Sequence, residues 1–174
     1  VDKQQGEDVF PVVTSASKSV VCYDRSDEES VKKTVKLFVE DVERVTGKRL
    51  ELKEKMPSGK DVILVGMIGK NKYINQLVAQ GKLDISPIKN GWEQYVITII
   101  NNPFAGVGKA LVIAGCDRRG TSYGLFSVSE AIGVSPWYWW ADAPVVKRQE
   151  LSLKVDRIIA KEPVSYTHLR AHET

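Results

Sequence analysis

The run DVILVG at positions 61–66 limits the possible folds more than any other stretch of this chain. Val62, Ile63, Leu64 and Val65 are apolar in succession, so as a strand they present apolar side chains to both faces of a sheet. Such a strand must lie centrally, with a layer of structure above and below it. No apolar run approaches the roughly 20 residues that cross a bilayer as a helix, so no membrane partner is expected.

The cover comes from segments of helical period. Positions 25–48, RSDEESVKKTVKLFVEDVERVTGK, form the clearest helix, because Val31, Val35, Phe38, Val42 and Val45 recur at helical spacing as one apolar stripe. Asp24 or Ser26 is placed to cap its start, and Asp27, Glu28 and Glu29 fall where the helix dipole favours negative charge. Gly47 supplies a left-handed stop. KNKYINQLVAQGKLD (70–84) reads as a short helix with Ile74, Leu77 and Val78 inward and Gly81 at its end. RRGTSYGLFSVSEAIG (118–133) reads as a third helix.

Strands are expected at SVVCYD (19–24), RLELKE (49–54), YVITII (95–100), KALVIAG (109–115) and ELSLKVDRI (150–158). RLELKE alternates apolar and charged residues, as a strand with one wet face does. NNPFAGVG (101–108) suits a wide hairpin or a crossover. Helices interleaved with strands define an α/β (α+β) chain, a mixed β-sheet flanked by about three helices. The 174 residues fit one domain with a real core. A net charge of +3 with scattered basic residues argues against a nucleic-acid partner. Cys22 and Cys116 each end a predicted strand, where a free thiol behaves as a small buried hydrophobe.

The final segment, VSYTHLRAHET (164–174), breaks the pattern and holds both histidines. His168 and His172 stand four apart, as two metal ligands on a helix would, but Leu169 occupies the place where a metalloprotease needs Glu. The segment resembles a cloning-derived tail, which divides the chain into an α/β domain at 1–163 and a tail at 164–174. No metal and no cofactor is expected.

With those histidines set aside, no imidazole remains to serve a Ser-His-Asp or Cys-His site. Paired carboxylates also run glycoside chemistry, and Asp117, Glu130 and Asp142 lie in the right third of the chain. Their spacing in sequence does not set their separation in space. GVGK lacks the first glycine of a phosphate loop and precedes a strand. CDRRGTSYG follows a strand and opens a helix, a geometry suited to an anion, and Arg118 and Arg119 add charge suited to a carboxylate. The alternative is that Arg119 pairs with Asp117 or another neighbour while Gly120 and Gly124 serve packing.

Trp137, Tyr138, Trp139 and Trp140 are consecutive aromatics, bracketed by Pro136 and Pro144, which limit how far regular structure runs through them. A core, an interface and a sugar platform are all open to such a run.

Taken together, ALVIAGCDRRGTSYGLFSVSEAIGVSPWYWWADAPV (110–145) resembles the N-terminal domain of glycoside hydrolase family 115, the xylan α-1,2-glucuronidases. Small domains before the barrels of family 67 and family 20 glycosidases share the Arg-Gly-x-x-Tyr-Gly turn of Arg119 to Gly124. The resemblance implies an accessory domain that precedes a TIM-barrel catalytic domain, with the acid and base in the barrel and no catalytic residue here. The chain alone is then expected to be inactive, while its parent removes (4-O-methyl-)glucuronic acid side chains from glucuronoxylan. It also implies Arg118, Arg119, Trp137, Tyr138, Trp139, Trp140 and Asp142 as substrate-binding or interdomain residues. The implied partners are the chain's own catalytic barrel and an acidic xylo-oligosaccharide. No signal peptide is visible, the chain opens on Val, and the parent is expected to be secreted or periplasmic. A stand-alone carbohydrate-binding or protein-interaction domain using the Trp-rich segment is the alternative.

Overall fold

The computed structural model describes residues 8–88, 91–132, 150–155, 158–160 and 170–172. The elements run β1 (Asp8–Val13), β2 (Val20–Cys22), α1 (Glu29–Thr46), β3 (Glu51–Lys53), β4 (Val62–Met67) and α2 (Lys72–Ala79). There follow β5 (Tyr95–Asn101), β6 (Lys109–Gly115), α3 (Arg118–Ala131), β7 (Leu151–Val155), β8 (Ile158–Ala160) and β9 (Arg170–His172).

The larger sheet has the order β3-β2-β4-β6-β5-β8. Strands β3, β2, β4 and β6 are parallel, whereas β5 is antiparallel to β6 and to β8. The DVILVG strand lies in the interior, paired with β2 on one side and β6 on the other. Its alternate residues enter two different cores. Ile63 and Val65 join Val35, Phe38, Val42, Leu125 and Val128 from α1 and α3 on one face. Val62 and Leu64 join Ile74 and Leu77 from α2, together with Leu83 and Ile88, on the other. Two covered faces are why the strand carries no polar residue.

The 101–108 segment closes a hairpin, since Tyr95 pairs with Gly115 and Asn101 with Lys109 in antiparallel register. RLELKE becomes the edge strand β3, wet on alternate side chains as its pattern predicts. A second sheet, β1-β7-β9, was not anticipated from DVFPVV, where a proline interrupts the pattern. Phe10, Val12, Leu151 and Leu153 from this sheet enter the same core as α1 and α3. The strand β9 falls within the 164–174 segment and pairs with β7 at the sheet edge. An open edge accepts such a partner through backbone groups, with little demand on side-chain pattern. His172 therefore stands in a strand, not on a helix, and His168 lies outside the described residues.

α1 ends as predicted, with Gly47 in the left-handed region (φ 76°) and its N–H on the Glu43 carbonyl. Gly47→Ala meets no steric neighbour but must hold that backbone angle with a Cβ. The expected cost is about 1 kcal/mol, a fall of about 3 °C in melting temperature by calorimetry. Its start differs from expectation. The N-cap is Glu28, which makes no side-chain capping bond, because Asp24, Ser26 and Asp27 are committed elsewhere.

Candidate functional site

Open α/β sheets bind ligands beyond the carboxyl ends of their parallel strands, where the strand order reverses. In this chain the reversal lies between β2 and β4. The crevice there is filled by the protein's own carboxylates. One Asp27 oxygen accepts the Met67 N–H (3.2 Å), and the other accepts the Asp24 N–H (3.0 Å) and the Asn71 side-chain amide (3.0 Å). Asp24 accepts the Lys72 N–H (2.8 Å) and the Ser26 hydroxyl (2.9 Å). Asn71 caps α2, its Oδ1 taking the N–H groups of Tyr73 and Ile74. Donors that would bind an anion are thus already paired, and all three side chains are buried.

Burial pushes the Asp27 carboxyl above its usual range, only partly countered by those N–H donors. Burial acts upward on Asp24 as well, but the Lys72 N–H, the Ser26 hydroxyl and N–H, and the Lys72 charge outweigh it, so Asp24 titrates below its usual range. Burial, with the nearby Asp24 charge, drives the Cys22 thiol up to about 12, so it stays protonated. Cys116 is only half-buried and is raised mainly by desolvation. Its thiol bonds the Gly91 carbonyl and accepts the Gln94 N–H, both at 3.3 Å. The expected free thiols are present, one of them less buried than its sequence position predicts.

One strand further along the same edge, the CDRRG turn opens α3. Asp117 is the N-cap, accepting the Gly120 N–H at 2.7 Å through one oxygen. Its other oxygen accepts the Glu93 N–H at 2.9 Å. The carboxylate is therefore a fastener between α3 and residues 91–94. Glu130 sits at the far end of α3, about 20 Å away at 1.5 Å per residue, so these two do not form a catalytic dyad. Arg119 pairs with Glu93 at 3.0 Å, a neighbour distant in sequence. Arg118 is exposed and makes no ion pair among the described residues.

The glycines serve close approach. A Cβ at Gly120 would overlap the Gln94 backbone, one at Gly115 the Thr121 backbone, and one at Gly124 the Ile113 side chain. Tyr95 lies under this contact, its hydroxyl 2.7 Å from Ser127 Oγ. Of the two readings of RRGTSYG, pairing and packing account for Arg119, Gly120 and Gly124. Arg118 is left over.

Beside Arg119's partner stands Trp92, which sequence reasoning passed over because a lone aromatic carries no pattern. It is 82% exposed, the most exposed large hydrophobic side chain among the described residues. Trp137, Tyr138, Trp139, Trp140 and Asp142 lie outside the described residues. The helix that precedes them ends at Ala131, some 20 Å along its axis from Arg118 and Arg119. At the opposite, amino edge of the sheet lies an open hollow of about 620 Å³ lined by Lys82, Phe104 and the 101–108 hairpin. Among the described residues, no group of three or more His, Cys, Asp or Glu is placed to hold a metal.

These features define a doubly wound α/β domain whose ligand crevice is plugged from within. No family model matches the chain, and neither does any of the curated proteins compared. Among solved structures it is similar to a family GH115 4-O-methyl-alpha-glucuronidase with specificity for decorated arabinogalactans. The TM-score is 0.64 at 29% identity over 81% of this chain. A second similar structure, CpGH84D, has a TM-score of 0.51 at 11% identity over 72% of this chain, a likeness of fold alone. The chain spans 17% of the first relative's length and 19% of the second's. The fold resembles part of a GH115 glucuronidase, as the residues at 110–145 indicated.

Proposed function

We propose that this chain is an accessory domain of a glycoside hydrolase that removes (4-O-methyl-)glucuronic acid side chains from a uronate-decorated polysaccharide, glucuronoxylan being the expected one. The observation that carries the reading is the likeness to a glucuronidase of which this chain matches only a small part. The local chemistry agrees with an accessory role. Both oxygens of Asp117 are spent on backbone N–H groups, and the Asp24–Asp27 pair is sealed among its own donors. Neither Asp117 nor the Asp24–Asp27 pair stands free to protonate a glycosidic oxygen or activate a water. The partner of the domain is a catalytic barrel in the same polypeptide, met by the Trp-rich segment, and the parent acts outside the cytoplasm.

The test compares this chain with a longer polypeptide carrying it, each incubated with glucuronoxylan while released uronic acid is measured. The chain alone should release none, and the longer polypeptide should release glucuronic or methylglucuronic acid. Release by the chain alone ends the accessory reading, and none from the longer polypeptide ends the enzyme reading.

A further inference from the structure

We infer that Trp92 and Arg118 form a binding subsite for an acidic sugar, the indole stacking on a pyranose face and the guanidinium holding the uronate carboxylate. The inference rests on the proposed link to glucuronate chemistry, and it places a ligand on this domain itself.

The first ground is how Trp92 is held. Burial of a ring this size is the ordinary outcome, yet this one stays in water while the backbone on its C-terminal side is tied down. Glu93 donates its N–H to Asp117 and its carboxylate pairs with Arg119. Gln94 bonds Cys116 twice, its carbonyl accepting the Cys116 N–H at 3.0 Å and its own N–H donating to the Cys116 sulfur. Glu93 adopts a left-handed backbone (φ 55°), which a residue with a Cβ holds only when its surroundings impose it. The result is a rigid display of an exposed ring, and a ring already ordered loses little entropy when a ligand stacks on it.

The second ground is charge. Glu93 is neutralised by Arg119, and Asp117 is turned inward onto two N–H groups. Arg118, next in the chain to both Asp117 and Arg119, keeps its charge uncompensated among the described residues. A planar guanidinium binds a carboxylate through two parallel hydrogen bonds. The third ground is position. Trp92 and Arg118 flank the carboxyl end of β6, the edge where α/β sheets take ligands, and the neighbouring crevice between β2 and β4 is closed. A neutral glycan would leave Arg118 without a role, and an acidic peptide would leave the ring without a flat partner.

The test titrates the nitrogen-15-labelled chain with a xylo-oligosaccharide carrying 4-O-methylglucuronate, and separately with the same oligosaccharide stripped of it. Saturable shifts confined to residues 91–94 and 117–119 are expected, with a dissociation constant of about 1 mM or tighter for the acidic sugar. Trp92→Ala should weaken that binding about tenfold or more, and Arg118→Gln about fivefold. Both variants should melt within about 2 °C of the parent chain, because both side chains are exposed. Equal binding of the stripped sugar, shifts centred elsewhere, or full affinity in Trp92→Ala overturns the subsite. If the longer polypeptide releases glucuronate while these titrations are flat, only the subsite fails. If binding follows the expectation and no uronate is ever released, the enzyme reading fails and the subsite stands.

Discussion

Asp27→Ala is expected to lower the melting temperature by about 10 °C, a loss of about 4 kcal/mol. The carboxylate satisfies three donors, the N–H groups of Met67 and Asp24 and the amide of Asn71, in a place 4% exposed. Removing it strands them away from water, at a cost of roughly 1–3 kcal/mol for each donor that finds no new partner. Asn71 is also drawn out of position, although it must cap α2 and bond the Val65 carbonyl. The damage reaches three elements at once, because β4, α2 and the turn before α1 all meet at this carboxylate.

The same residue sets a pH signature. The folded Asp27 binds its proton more tightly than the unfolded chain does, since burial raises it. Keeping it ionised therefore costs stability above the raised value, and the cost is relieved as pH falls through that value toward the ordinary aspartate range. Asp24 acts in the opposite sense: its contribution is present above the ordinary range and is lost as pH falls through its depressed value. Asp27→Asn removes only the first effect. The melting temperature of the parent chain minus that of Asp27→Asn should grow as pH is lowered from 7 through weakly acidic values, by differential scanning calorimetry. A difference that shrinks or stays level would show that Asp27 is not held at a raised value.

Gly120→Ala is the second large effect, a loss of about 3 kcal/mol and about 8 °C in melting temperature. Helix propensity argues the other way, since alanine improves a helix interior by about 1 kcal/mol over glycine. The close approach wins. The new Cβ would overlap the carbonyl oxygen, carbonyl carbon and nitrogen of Gln94, backbone atoms that lead directly into β5 and cannot swing aside. Relief requires α3 to lift from the sheet, which also loosens Leu125 and Val128 in the core and the Asp117 bonds to Gly120 and Glu93. Gly124→Ala should cost less, because its new Cβ meets the Ile113 methyl, a side-chain group that can yield. Thermal melts of the two variants side by side give the ranking, and a milder Gly120→Ala would mean that α3 rests on the sheet with slack.

The sequence was most legible where one force acted alone. The stripe from Val31 to Val45 and the unbroken run from Val62 to Val65 respond to burial, and both fall as their period requires. β1 was missed because Pro11 interrupts DVFPVV, a cost tolerated in a small separate sheet where β1 is the outer strand and β7 its ladder partner. By sequence position Asp24 and Asp27 are helix-start residues, the normal use of acids at that point. Their true partners, Met67, Asn71 and Lys72, arrive from the end of β4 and the start of α2, 40 to 48 residues along the chain.

The candidate site divides in the same way. The glycines and arginines of CDRRGTSYG mark a close strand–helix turn in the sequence itself, because only those residue types permit the approach and carry the charge. Which arginine is paired is a tertiary fact, decided by Glu93 reaching Arg119 while Arg118 has no ion-pair partner among the described residues. Trp92 has no signature at all without the fold, since exposure depends on what the rest of the chain places beside a residue. Periodicity and composition are properties of a segment and can be read along it. Partner choice depends on how strands return to one edge, and only the folded sheet brings positions 24, 71, 93 and 119 to that edge together.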